Sequence, residues 1–285
     1  MGAWGTSLYA NDTASDIRGD YIDKLKRGKT NDEATRELIE DNRDIIGDAE
    51  EEPLFWFALA DTQWNYGRLL PEVREKALYF LSQGTELERW RESGSKQMHA
   101  WAKTLDALSL KLNSPQPAVK RVPKYRLYRC KWKLGDVFAY RFSSEYSRQK
   151  GFYGQYAVFR KVSEGTWYPG HIVPIVQVYK WIGSDVPSME KLPGLSLLPA
   201  FYTPANLDKL PNKALSYEIQ LVSESERAIP SGNLTFLGNL PGDDLIPFRG
   251  HDYWTGYGCV GWEASKYNDK IEHYIIDMYV AWNDV

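Results

Sequence analysis

Cysteine, histidine and long apolar runs are all scarce in this chain, and each scarcity removes a class of chemistry. Cys130 and Cys259 are its two thiols. They show no CxxC spacing and follow no secretory apolar segment, so two buried thiols in a reducing cytosol are expected rather than a disulfide framework. The histidines, His99, His171, His251 and His273, never fall at HxH or HExxH spacing, which leaves a metal centre without its usual ligand pattern. No GxxxxGK[ST] loop and no GxGxxG unit after a strand is present, so no nucleotide cofactor is expected. No apolar run approaches the roughly 18 residues that span a bilayer. Met1–Thr6 does fit the N-myristoylation pattern, but no basic residue follows directly to supply a second membrane signal, and no membrane partner is expected.

Aromatic residues are abundant instead, at 14% with 11 Trp and 19 Tyr. Such rings bury large areas and serve as interface anchors, which suits a β-rich core or a recognition surface equally well. The formal charge of −3 exerts no general pull on nucleic acid, yet it is unevenly spread. Residues 1–113 carry 15 Lys and Arg against 21 Asp and Glu, a net of −6, whereas residues 114–285 carry 20 against 17, a net of +3. A chain of 285 residues is long enough for two ordinary domains.

The periodicity changes at the same place. Ala14, Ile17, Tyr21 and Leu25 recur at helical spacing behind an N-cap at Asn11 or Asp12. Thr30 and Glu33 form a capping box, Pro53 and Pro71 open further helices, and Gly67 and Gly84 close them. Thr85 and Glu88 form a second capping box. Met98, Trp101, Leu105, Leu108 and Leu112 share one face of a last helix. Residues 1–113 therefore read as a helical bundle, and 114–118, Ser-Pro-Gln-Pro-Ala, as a Pro-containing linker. Residues 119–285 hold short β-branched and aromatic runs at 137–142, 155–160, 172–179, 215–222 and 234–237. Lys191–Leu210 reads as a long ordered loop, and Tyr274–Trp282 suits a strand or a terminal helix. The expected fold class is α+β, the second domain being a mainly antiparallel partly open barrel or curled sheet.

Several residue groups are candidates for function. Asp61 lies beside the apolar stripe Phe57 and Trp64; it suits a partner's Arg or Lys, or a hydrogen bond from an indole or a helix-terminal N–H within the bundle. Residues 120–133 place seven basic residues among fourteen. Lys124, Arg126, Lys131 and Trp132 are the residues by which they would hold a nucleic acid, with cations for phosphates and rings for bases. The same alternation describes an edge strand guarded by Lys and Arg, and an acidic protein is a third use of the charge. Trp167, Tyr168, Tyr253 and Trp254 are candidate aromatic anchors for a protein partner. Cys259 with His251 suggests a nucleophile and base in the 247–259 loop, though no nucleophile elbow or oxyanion signature accompanies them. Trp4, between Gly2 and Gly5 and followed by Asp12 and Asp16, suits either a pocket or an anchored terminus; capping and the helix dipole explain the two carboxylates more simply.

Two stretches resemble known families. Gly2, Trp4, Gly5, Asp12 and Asp16 are similar to the opening of a widespread uncharacterised bacterial family that begins Met-Gly-x-Trp-Gly-x-Gly, with Ser7 departing from the usual glycine. That likeness extends through Pro53–Trp64 and covers residues 1–112. Lys131–Tyr140, a basic Trp segment followed by Gly-Asp and Val-Phe-Ala, resembles a β-rich family of predicted immunity proteins encoded beside bacterial polymorphic toxins. The second resemblance implies a non-enzymatic bacterial protein of the cytoplasm that neutralises a toxin by binding it. Neither supplies a catalytic motif. Nucleic-acid binding through 120–133 and hydrolysis in the 247–259 loop remain the alternatives.

Overall fold

The computed structural model describes residues 5–84, 95–200, 217–247, 258–262 and 271–283. The chain divides into two compact units, Met1–Tyr125 and Arg126–Val285.

The first unit is helical: α1 (Asp12–Lys26), α2 (Asn31–Asp41), α3 (Glu52–Asn65), α4 (Pro71–Gln83) and α5 (Ser95–Leu112). Asn11, not Asp12, caps α1, its side chain accepting the Ala14 N–H at 3.2 Å. Asp12 then sits in the first turn, where the helix dipole favours an anion. Both arms of the Thr30–Glu33 capping box form at α2. Helix α3 is the hub, buried from Pro53 to Gln63; a helix apolar on every side must be covered on every side. Its contacts with α1, α4 and α5 supply that cover. The Gln63 amide, fully buried, gives a hydrogen bond to Thr35 and takes one from the Leu70 N–H, so its burial is compensated.

Residues 114–125 belong to this unit and are fastened to it by bonds that no local pattern announces. The Gln116 side chain accepts from the Leu69 N–H, Lys120 N–H donates to the Tyr66 carbonyl, and Tyr125 N–H donates to the Lys26 carbonyl. The capping box expected at Thr85 and Glu88 lies outside the described residues.

The second unit contains β1 (Asp136–Arg141), α6 (Glu145–Gln149), β2 (Tyr156–Trp167), β3 (His171–Gly183), β4 (Glu218–Val222), β5 (Leu234–Asn239), β6 (Gly258–Gly261) and α7 (Ile271–Asn283). The strands form one sheet in the order β5-β1-β2-β3-β4-β6. Every neighbouring pair is antiparallel except β4–β6. The sheet is open, so the fold is α+β with a sheet rather than a barrel, and Tyr274–Trp282 is helical. Leu195–Leu198 follows a 3-10 turn at Met189–Gly194 and bonds back to β3 through Leu198 N–H and the Val178 carbonyl. Residues 201–210 of the expected loop lie outside the described residues.

Strand alternation gives the sheet two apolar faces. Phe138, Tyr140, Phe159, Val176, Val178, Ile219, Leu221 and Val260 face one way and pack with Ile271, Ile275 and Ile276 of α7. Val137, Ala139, Val158 and Tyr179 face the other, beneath Leu192, Leu195, Leu197 and Leu240. Glu272 clips α7 in place. Its carboxylate accepts from Tyr140 Oη, the Ser143 and Ser144 N–H groups and Ser144 Oγ. Burial alone would raise this carboxyl, and the donated bonds outweigh it, so it lies below the usual carboxylate range.

Candidate partner-binding site

The basic segment enters the second unit at Arg126 and runs beside the β2–β3 hairpin. It is not a paired edge strand. Its connection to β3 is one isolated parallel bridge, Arg129 to Ile172, in which Cys130 N–H donates to the Ile172 carbonyl and Ile172 N–H to that of Tyr128. A third bond comes from Tyr128 N–H to His171 Nδ1 at 2.9 Å. This bond makes Nδ1 an acceptor and puts the ring proton on Nε2. Desolvation lowers the His171 pKa, against a smaller opposing effect of Glu224, so the neutral imidazole is maintained.

Alternation decides what this segment shows to solvent. Tyr128, Cys130 and Trp132 turn inward, while Leu127, Arg129, Lys131 and Lys133 are exposed. The Trp132 ring lies 4.4 Å from that of Phe138 and 5.8 Å from that of Phe159. It is committed to the aromatic core and does not offer a face to a nucleic-acid base. Below it, the fully buried Lys161 donates to the Trp132 carbonyl and to Glu164. A buried ammonium is tolerated only when paired, and here it pins the segment to β2. Glu164 also receives Arg129 at 3.4 Å. Lys124, placed with these cations by the sequence, belongs to the helical unit and lies against Gly28. Gly135 and Asp136, the Gly-Asp of the immunity-protein likeness, make the turn into β1: Gly135 has φ +83° and Asp136 accepts the Lys133 N–H.

At the hairpin tip Trp167 pairs with His171, leaving Tyr168, Pro169 and Gly170 as the connecting loop. Tyr168 is 62% exposed and Leu127 58%. The Leu127 methyl groups lie close to Gly170, where a Cβ would stand 3.5 Å from Cδ1. Tyr168 and Leu127 are thus apolar members of a ridge that also exposes Arg126, Arg129 and Lys131. Acidic neighbours only partly offset it, since Glu164 is engaged by Lys161 and Glu226 stands 3.6 Å from Lys131. The sequence marked Tyr168 and the bases separately; Leu127 was missed, although its place among outward-alternating bases was a signal.

Other candidates are placed differently. The Asp61 carboxylate is satisfied within the helical unit by Tyr9 Oη at 2.8 Å, Asn65 Nδ2 at 2.8 Å and the Lys111 ammonium at 2.6 Å. Neither an indole nor a helix-terminal N–H is among these partners, and the cation it was expected to receive from another protein comes from α5. It lines an open cleft of about 430 Å3 with Leu8, Tyr9 and Thr104. Cys259 lies in β6 and gives a hydrogen bond to the Gln220 side chain at 3.1 Å. Burial pushes its thiol up to about 11, the reverse of the activation a nucleophilic thiolate needs. Trp4, His251, Tyr253 and Trp254 lie outside the described residues. Among the described residues no group of His, Cys, Asp and Glu could hold a metal ion, and no helix is long and apolar enough to cross a membrane.

No family model, curated protein or solved structure matches the chain.

Proposed function

We propose that this chain is a non-catalytic binding protein of the immunity type, acting in the bacterial cytoplasm, that neutralises a toxin by direct contact through the ridge of its second unit. The observation that carries the reading is the pairing of exposed Tyr168 and Leu127 with Arg126, Arg129 and Lys131. An aromatic anchor rimmed by cations suits a protein surface that is apolar at its centre and acidic around it. The likeness of Lys131–Tyr140 to predicted immunity proteins supports the same reading. The inward position of Trp132 and Tyr128 favours a protein over a single strand, because stacking needs rings that face outward.

The test is isothermal titration of the full chain with the toxin domain encoded by the adjacent gene. A one-to-one complex is expected. Tyr168→Ala and Arg129→Glu should each weaken it at least about ten-fold, or 1.4 kcal/mol, with the unfolding midpoint unchanged. Absence of a stoichiometric complex, or variants that bind as the parent does, would remove the proposal; so would tighter binding to single-stranded nucleic acid than to the toxin.

A further inference from the structure

Two cations of the ridge rest against carboxylates of their own unit, and neither is held tightly. Arg129, whose side chain is 74% exposed, makes a single contact among the described residues, from Nη2 to Glu164 Oε2 at 3.4 Å. Lys131 stands 3.6 Å from Glu226, an exposed residue that opens the 3-10 turn Glu226–Ala228. Both distances exceed the roughly 2.7–2.9 Å of a charge-assisted hydrogen bond, and exposed pairs of this kind contribute little to stability. Beneath the surface the opposite holds. Glu164 turns its other oxygen to the Lys161 ammonium at 2.7 Å, and that ammonium also donates to the Trp132 carbonyl at 2.5 Å. Lys161 is fully buried and requires a counter-charge, so the Glu164 carboxylate serves Lys161 first and Arg129 second. When Arg129 swings away, Glu164 stays compensated from below. Glu226 is exposed and turns to water when Lys131 leaves it.

We infer that the ridge takes up the carboxylate side chains of an acidic protein segment by exchange, Arg129 leaving Glu164 and Lys131 leaving Glu226 as the partner's aspartates or glutamates arrive. In the free chain both cations already face carboxylates, which act as stand-ins for those of the partner. A guanidinium meets a carboxylate best through two parallel N–H bonds, and the one long contact to Glu164 leaves that fork unused. Leu127 and Tyr168 take an aliphatic residue between the acids. Lys161 touches no partner; it is a positioning residue, which keeps Glu164 from holding Arg129 back. The inference deepens the protein-binding reading and rests on the same ridge.

The probe is the capped peptide acetyl-Glu-Glu-Leu-Glu-Glu-amide, added to the full chain and followed by nitrogen-15 NMR. Saturable shifts are expected at the Arg129 Nε–H and at the Leu127 and Tyr168 amides, and the peptide with Gln in place of every Glu should bind about ten-fold more weakly. Arg129→Lys keeps the charge and loses the fork, so it should weaken the acidic peptide about five-fold. Glu226→Gln removes an exposed competitor and should tighten binding about two-fold. Lys161→Met should weaken it about five-fold, because Glu164 then holds Arg129, and adding Glu164→Gln to Lys161→Met should restore the parental affinity. The Trp132 carbonyl lacks its donor in both, so a purely structural loss would not be rescued. If Lys161→Met does not fold, the two surface variants decide. No saturable shift, an Arg129→Lys variant that binds like the parent, a double variant that stays weak, or tighter binding of hexathymidylate than of the peptide would each overturn the inference. A chain that binds the peptide in this pattern but not the toxin domain removes the toxin reading alone. One that binds the toxin equally well with Arg129→Lys removes the exchange alone.

Discussion

His171 joins the basic segment to the hairpin through a single neutral nitrogen. The Tyr128 N–H points at Nδ1, and a proton added there would set two donors against each other. Because the folded pKa is lowered from 6.5 by desolvation, the folded state binds fewer protons than the unfolded one as pH falls below about 6.5. Stability rises with pH wherever the unfolded state holds more protons, so the contribution of His171 is fully present above that value and is lost as pH falls through the folded pKa. Native-state hydrogen exchange should show the Tyr128 and Cys130 amides losing protection between pH 7 and pH 5, ahead of amides in the centre of β2. His171→Gln, which keeps an acceptor that does not titrate, should remove that difference. An equal loss in the variant would assign the effect to another group.

Among the elements, the stretch from Ser114 to Tyr125 behaves least like its sequence. Its Pro residues suggest a spacer, yet it lies on the helices and fixes the identity of Gly67. That glycine has φ +67°, and a Cβ there would stand 2.4 Å from the Pro117 carbonyl and 2.7 Å from that of Ala118. Gly84 ends α4 at nearly the same φ, +66°, with nothing among the described residues within 4 Å of the corresponding point. Gly84→Ala should therefore cost only the left-handed penalty, about 1–2 kcal/mol. Gly67→Ala should cost that plus displacement of the segment, on the order of 3 kcal/mol in all. Equal losses in denaturant unfolding would mean that residues 117 and 118 contribute nothing to the helical unit. The two glycines were legible as helix stops because αL termination has a local signature, as has the Thr30–Glu33 box. The docking of 114–125 was not, because Lys120 with Tyr66 and Tyr125 with Lys26 are long-range backbone pairs without periodicity. The strands were legible from alternation, but their extent was not, since β2 and β3 run past their apolar runs through Trp167 and Gly183. For the ridge, the residue types were readable and their grouping was not: the bridge between Arg129 and Ile172 and the Tyr128–His171 bond bring Leu127 to the hairpin turn at Gly170.

At the scale of the whole molecule, the division at Tyr125 changes the charge argument. Residues 1–125 hold 18 basic and 21 acidic side chains, a net of −3, and residues 126–285 hold 17 of each, a net of zero. The basic excess of the C-terminal portion therefore belongs to the start of that portion, not to the sheet unit as a body. An acidic partner would feel the cluster of Arg126, Arg129, Lys131 and Lys133 rather than a long-range field, and at 0.1 M salt such a cluster acts over about 10 Å. Steering by it should be modest. Raising salt from low to high ionic strength should slow association by up to about ten-fold, at the lower end of known steering effects, while dissociation changes little because the Tyr168 and Leu127 contacts are apolar. Tyr168→Ala should do the opposite, speeding dissociation with association nearly intact. Stopped-flow measurement across a salt series separates the two rates. An association rate indifferent to salt, or a salt effect confined to dissociation, would show that the ridge does not guide the encounter, and a steep fall of equilibrium affinity with the logarithm of salt concentration would instead mark a phosphate backbone as the ligand.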